Sequence, residues 1–469
     1  MKWLVRPAAA PGENTLSPTW IRAELRAGRM SNGGHYGRVV DARPRQIAFR
    51  ALRRASAGDF LEHRLESDPA FRSLPGPDRR LAQELLYGVT RHRAALDWLV
   101  ARRTDGRAQR PEVQDLLRLG LYQLFWLERI PAHAAVHETV EAAREAGLGA
   151  AAGFINAVLR GCERERALVV SALARLREED PATGYSHPGW LVERWRARHG
   201  EASMRRLLEW DNMPPPTFAR INTLRATVEA TLARWREEGV ESRPFERPWL
   251  PEGLVHELVS HPSLATLPSF QSGGFYVQDP STLMAGVELG ARPGESVLDY
   301  CAAPGGKATW VAQLTGNQAR VVAHDNHAGR LRLVEENATR LGATSITVSP
   351  PPNPPGAPGT FDRVLVDAPC SNTGVLRRRL ELRWRLEASE VDRLAATQCA
   401  VLDRAARYVR PGGTLVYSTC SLEPEENEAV ARSFVSSHTG WTLEKERALT
   451  PVADGTDGAF VAVVTRERA

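Results

Sequence analysis

From about residue 285 onward the chain repeats one arrangement: a short run rich in Val and Leu, a turn bearing Gly or Pro, then a helical stretch. The segments "ESVLDYCAAPGGKATWVAQL", "ARVVAHDNHAGRLRLVEENATRLGA", "FDRVLVDAPCSNTG" and "GGTLVYSTCS" all carry it. Short strands that return through helices pair in parallel, with helices covering both faces of the sheet. The pattern predicts a doubly wound α/β domain over residues 281–469. Ligands of such sheets lie beyond the C-terminal ends of the strands, so chemistry is sought at that edge.

The rest of the 469 residues reads differently. Residues 1–44 are rich in Gly, Pro, Ser and Arg without periodicity; they read as a flexible tail, or as an over-extended start ahead of an initiator at Met30. Over 45–168 apolar residues recur at three- and four-residue spacing, Leu81, Leu85, Val89, Leu96 and Leu99 in one stretch and Leu116, Leu117, Leu124 and Leu127 in another. That spacing predicts a small all-α domain, with Pro131 as a helix stop. Residues 169–280 mix helical patterns with β-like runs, predicting a small α+β domain between the two.

Composition narrows the setting. No apolar run approaches the roughly 18 residues that span a bilayer, so no membrane partner is expected. The N-terminus lacks the apolar core of a secretory signal, and a cytoplasmic location is the expectation. Cys162, Cys301, Cys370, Cys399 and Cys420 include no CxxC pair, which disfavours a zinc ribbon and a disulfide framework. A net charge of +5 permits nucleic-acid binding without demanding it. Of the 61 basic residues only Lys2, Lys307 and Lys445 are lysine. Arg and Lys are not interchangeable at a tight polar site, so Lys307, inside the turn "CAAPGGK", is a candidate functional residue.

That turn follows a strand ending at Asp299 and leads into a helix expected near Ala308. Gly305 and Gly306 let backbone approach a ligand, and the helix N-terminus favours an anionic group. Asp325 ends the next strand, where a carboxylate suits the two hydroxyls of a ribose. Neither GxGxxG nor GxxxxGK[ST] is present, so dinucleotide and P-loop readings are poor. A nucleoside-containing cofactor is the expectation.

Cys370 and Cys420 each end a strand at the ligand edge, and each is followed by Ser. There a thiolate could attack an electrophile, with Asp367 and Lys307 nearby; each cysteine alone reads equally as a small buried residue. Zinc lacks further ligands at local spacing. Cys399, inside a helical pattern, and Cys162, at a helix end, read as inert.

The motifs "LDYCAAPGGKATW", "VDAPCSNTGVLRR" and "LVYSTCSLEPEENE" closely resemble those of the Sun family of RNA cytosine-5 methyltransferases. Weaker resemblances are "FARINTL", "FYVQDPSTL" and "DGAFVAVV", and the helical segment with "GFINAVLR" resembles a NusB-type RNA-binding domain. The resemblance implies a NusB-like domain, an RRM-like RNA-binding linker and a Rossmann-like class I methyltransferase domain. It implies S-adenosylmethionine as cofactor, lined by Cys301, Ala302, Ala303, Pro304, Gly305, Gly306 and Lys307, with Asp325 on the ribose and Asp367 alongside. Cys420 is then the nucleophile that adds to cytosine C6, and Cys370 assists product release. Asp367 hydrogen-bonds the cytosine edge, and Lys307 orients it or favours a thiolate. The implied partner is RNA, small-subunit rRNA or an assembly intermediate; oligomeric state is left open.

Two departures stand out. The acidic residue that usually contacts the adenine after the third strand is absent from "SPPPNPP"; the expectation is either that Asn353 substitutes as acceptor or that cofactor affinity is reduced. The usual His-Pro-Asp after the PCS motif is replaced by Arg379, Leu380 and Glu381, in a segment expected to face substrate. Asn372 is assigned no role. The alternatives are the same chemistry on tRNA or another rRNA site, or a decayed enzyme acting as an RNA-binding assembly factor. The arginines Arg79, Arg80, Arg91, Arg93, Arg102 and Arg103 read either as an RNA-binding face or as a solvated one.

Overall fold

The computed structural model describes residues 43–54, 60–352, 354 and 356–468. Met30 and nearly all of the expected tail lie outside the described residues, as does Asn353. Two compact units emerge. The described residues up to Pro214 together with Leu376–Arg385 form one, and those of Pro215–Val375 with Leu386–Ala469 form the other.

The first unit is helical. Its longest helices include Gly76–Arg91, Pro111–Trp126, Ala132–Glu145, Gly149–Arg164 and Gly189–Asn212, the last kinked at Gly200, where φ is 76°. Their apolar faces meet in a core containing Leu85, Val89, Leu96, Leu116, Leu117, Val136, Ile155 and Leu159. Cys162 lies in that core and Arg103 beside it; burial pushes its thiol pKa up. Two boundaries differ from the periodic reading. The pattern running from Leu81 to Leu99 is broken at His92, because this buried ring stacks on Trp126 at 4.9 Å and the Ala95 amide donates to Ser186 Oγ. Pro131 stops nothing: the preceding helix ends at Trp126, and Pro131 caps the next one, where its fixed φ suits a helix start.

The second unit holds two sheets. A four-stranded antiparallel sheet has the order β2-β3-β1-β4, from β1 (Thr217–Ile221), β2 (Glu241–Pro244), β3 (Val255–Ser260) and β4 (Phe275–Val277). The larger sheet comprises β5 (Ser296–Asp299), β6 (Arg320–His324), β7 (Ile346–Ser349), β8 (Phe361–Asp367), β9 (Val409–Thr419), β10 (Trp441–Leu449) and β11 (Ala459–Arg466). Its order is β10-β11-β9-β8-β5-β6-β7. β5 to β9 pair in parallel, and β11 runs antiparallel between β9 and β10.

The central strands β5, β6, β8 and β9 carry apolar runs because both faces are covered there, whereas the edge strand β10 is largely half-buried or exposed. Val297, Val321, Leu365 and Val416 enter one core, and their neighbours Leu298, Val322, Val364 and Leu415 enter the other. Cys399, on the helix Ala388–Ala406, packs against the second core, as its helical context predicts. Strand order reverses around β5, which has β6 on one side and β8 on the other. The crevice opened there is the switch point at which ligands of doubly wound sheets bind.

Candidate active site

β5 ends at Asp299, which is fully buried and receives no full hydrogen bond on either oxygen. Burial, then the charge of Asp367, raise its pKa from 3.8 to about 7, with Lys307 working the other way. The chain then turns through "CAAPGG" into the helix Gly306–Leu314. Gly305 sits at φ 101°, a left-handed conformation that β-carbon-bearing residues avoid, and a Cβ there would meet Val334 at 3.1 Å. A Cβ on Gly306 would press on Gln278 and Tyr276, both at 3.2 Å. The turn is thus a cradle that only glycines leave open. The neighbouring Cys301 is half-buried, and desolvation followed by Asp299 pushes its thiol up, out of nucleophilic use.

Two of the weaker motifs brace this turn. Arg220 of "FARIN" is buried beside the Tyr276 and Trp310 rings and donates to the Gly306 carbonyl and Thr309 Oγ1, each at 3.2 Å. Asp325, just past β6, accepts from the Ala303 amide at 3.2 Å and the His327 amide at 2.9 Å. It therefore fixes the turn that follows β5.

β8 delivers Asp367. Its Oδ2 accepts from Lys307 Nζ at 2.6 Å and its Oδ1 from Ser418 Oγ at 2.9 Å, so both oxygens are oriented by partners on other segments. Burial acts against the Lys307 ammonium, but Asp367 outweighs it and the net shift is upward; negative charge on Cys420 adds to that. The lysine singled out by its rarity therefore carries its charge into the site.

The two thiols meet. Cys370 Sγ lies 3.3 Å from Cys420 Sγ. Asn372, with φ 62°, donates from Nδ2 to the Cys370 carbonyl at 2.7 Å, which turns its Oδ1 toward Cys420 Sγ at 3.1 Å. A flipped amide would set two acceptors face to face, so this orientation is fixed by the network. The Cys420 hydrogen goes to Asn372, and the Cys370 hydrogen is left for the Cys420 sulfur. That hydrogen bond, then burial, push the Cys370 thiol pKa well up. The neighbouring sulfur and burial thus both disfavour a thiolate at Cys370.

The loops carrying these groups interlock through backbone. The Gly374 amide donates to the Cys420 carbonyl at 3.0 Å, and the Gly458 amide of "DGAF" to the Gly374 carbonyl at 2.8 Å. Asn372 and the buried Glu426, which contacts both serines of the cysteine motifs, were not singled out by sequence. The repeated Cys-Ser dipeptide was the available signal. Among the described residues no group of three or more His, Cys, Asp or Glu is arranged to hold a metal ion.

One expectation is corrected. Arg379, Leu380 and Glu381, expected on an open segment, turn into the helical unit instead. Arg379 lies over the Phe60 ring near Glu62, Leu380 joins a core with Ile47, Leu61 and Leu86, and Glu381 is buried. Arg383 donates to Asn212 Oδ1 and the Asp211 carbonyl, and Trp384 to the Thr90 carbonyl. Free carbonyls at helix ends and an apolar slot hold this segment. Of the six arginines weighed as a solvated face, Arg91 is buried, while the others are half-buried or exposed.

Comparison with known proteins follows the same lines. The profile of 16S rRNA methyltransferase RsmB/F matches residues 287–463, the NusB family profile matches 42–164, and an RsmF/B-like ferredoxin-like domain matches 187–257. A probable ribosomal RNA small subunit methyltransferase B of Bacillus subtilis is 34% identical over 89% of this chain and 97% of its own length. Ribosomal RNA small subunit methyltransferase B of Erwinia tasmaniensis is 36% identical over 85% of this chain and 93% of its own. The crystal structure of a methyltransferase homolog from Pyrococcus horikoshii superposes with a TM-score of 0.53 at 28% identity, over 61% of this chain and 98% of that one.

Proposed function

Because the chain belongs to the RsmB/F family of 16S rRNA methyltransferases, we propose that it transfers a methyl group from S-adenosylmethionine to C5 of a cytosine in small-subunit rRNA. The observation that carries this is the meeting of the PCS and TCS thiols beside the Lys307–Asp367 pair. The residues present fit the cofactor: the buried, unbonded Asp299 carboxylate suits a cationic amino group, and the Gly305–Gly306 cradle admits a close ligand. Cys301 to Lys307, Asp325 and Asp367 would hold it. S-adenosylmethionine supplies an electrophilic methyl group on a sulfonium.

Cytosine C5 is too weak a nucleophile to take that methyl group unaided. Cys420 is the better-suited attacker, since the neighbouring sulfur and burial both disfavour a thiolate at Cys370. Addition of the Cys420 thiolate to C6 breaks the C5–C6 double bond and makes C5 enamine-like. After C5 is methylated, loss of its proton to solvent restores the double bond and expels Cys420 as a thiolate, which the Cys370 S–H stabilises by hydrogen bonding, assisting release. Asp367, held by Lys307 and Ser418, accepts a hydrogen bond from the base edge, which stabilises positive charge on the adduct. The base must leave any stack to reach the crevice. The all-α domain read over 45–168 and the α+β domain read over 169–280 are assigned to RNA binding.

Purified protein, methyl-labelled S-adenosylmethionine and unmodified small-subunit rRNA test the proposal, with nucleoside analysis of the product. Label in 5-methylcytidine supports it. Label appearing only in a tRNA control moves the substrate, and none in either overturns the enzymatic reading.

A further inference from the structure

Each catalytic motif places a serine directly after its cysteine, and both serines converge on one side chain. Glu426 is wholly buried, on the segment after the TCS motif. Its Oε1 accepts from the Ser371 amide at 2.8 Å and Gln398 Nε2 at 3.0 Å. Its Oε2 accepts from Ser421 Oγ at 2.5 Å and from Ser371 Oγ, and the two hydroxyls lie 3.1 Å apart. Gln398 Nε2 also reaches the Pro369 carbonyl, and the Tyr417 hydroxyl donates to the Glu426 carbonyl. Four donors from three segments thus close on one carboxylate. Buried charge-assisted bonds of this kind are short, strong and costly to break.

None of these donors touches the crevice groups Lys307 or Asp367. The carboxylate instead spans the gap beneath the thiols, tying residue 371 to residue 421 while residues 370 and 420 meet above it. We propose that Glu426 is the positioning residue that holds the two cysteine loops in register, by anchoring the serine that follows each. The inference rests on the roles given to Cys420 and Cys370 above, but the clamp itself can be tested without catalysis.

The test compares full-length wild-type, Glu426→Ala and Glu426→Gln proteins. Diamide, an azo oxidant, converts two adjacent thiols to a disulfide while taking up two electrons and two protons as a hydrazine, so the rate of Cys370–Cys420 joining, followed by peptide mass spectrometry, reports their proximity. In Glu426→Gln the amide oxygen can still serve the Ser371 amide while both hydroxyls rotate to accept, so register survives. The expected result is rapid joining in wild type, about tenfold slower joining in Glu426→Ala, and near-wild-type joining in Glu426→Gln. With active enzyme, kcat falls about a hundredfold in Glu426→Ala while KM for S-adenosylmethionine stays within about twofold, and Glu426→Gln recovers most of the loss.

Joining in Glu426→Ala at the wild-type rate, or a wild type whose thiols do not join, overturns the clamp. Should Glu426→Ala fail to fold, the Ser371→Ala/Ser421→Ala double variant is read in its place, slower joining supporting the clamp and unchanged joining overturning it. A wild type that joins its thiols but transfers no methyl group overturns the proposed function alone.

Discussion

Cys370 Sγ sits 3.3 Å from Cys420 Sγ, and the Asn372 amide decides which of the two hydrogens points where. Cys420 gives its hydrogen to Asn372, and Cys370 directs its own at Cys420. Two thiols of similar chemistry are thereby made unequal before any substrate arrives. Cys420→Ala removes the attacking sulfur and should abolish methyl transfer; turnover above background by that variant, measured with labelled cofactor, would sink the assignment.

Cys370→Ala leaves the attack intact and removes the group that assists expulsion. A covalent protein–RNA adduct, stable to denaturing electrophoresis, should accumulate after methyl transfer. A variant that releases product as fast as wild type would leave Cys370 without its role.

Lys307 donates to one oxygen of Asp367 and Ser418 to the other. A compact ammonium fits that geometry, whereas a guanidinium is a wider planar fork. Lys307→Arg should therefore keep the charge and still lose about a hundredfold in single-turnover rate, as removal of one preorganised electrostatic partner does elsewhere. Asp367→Asn should lose at least as much. An Arg variant with the wild-type rate would mean that charge alone matters there.

Asp299 makes cofactor-free protein sensitive to pH. Folded, it keeps its proton up to about pH 7; in the unfolded chain a carboxyl of this kind loses it near its ordinary value of 3.8. The folded state binds the extra proton between those values, so the stability it contributes is full below about pH 4 and declines as pH rises through 7. At about 1.4 kcal/mol per unit, the loss is at most about 4 kcal/mol. Asp299→Asn should flatten the decline in urea midpoint between pH 4 and 8. A variant whose pH profile overlays wild type would assign the decline to other groups.

Much of this site could be read in the chain because the doubly wound sheet brings the ends of its strands to one edge. Asp299, Asp325, Asp367, Cys370 and Cys420 needed only strand order and the turn glycines to be collected there. Glu426 escaped because "EPEENE" reads as an acidic, solvated loop. Its burial depends on Ser371 and Gln398, which are 55 and 28 residues away in sequence. Arg379 to Trp384 escaped for the same reason: a run of arginines looks solvent-facing until the helix ends and aromatic rings that receive it are known. His92 hid within an unbroken apolar periodicity, since the ring stack that ends its helix is made with residues of another.

Gly374 offers a test of how tightly the interlocked loops are set. A Cβ there would stand 2.7 Å from the Cys420 carbonyl and 2.8 Å from the Gly458 Cα and carbonyl oxygen, all of them backbone atoms that cannot rotate away. Gly374→Ala must therefore move the TCS loop itself. Overpacking of this kind costs about 1–3 kcal/mol, and displacing the nucleophile by even an ångström costs about a hundredfold in rate. Gly161→Ala, whose Cβ meets nothing within 4 Å inside the helix Gly149–Arg164, should instead be neutral or stabilising by up to about 1 kcal/mol. Urea midpoints and single-turnover rates for both variants separate the two effects. A Gly374→Ala protein with the wild-type midpoint and rate would show that the cysteine loops have slack the structure does not reveal.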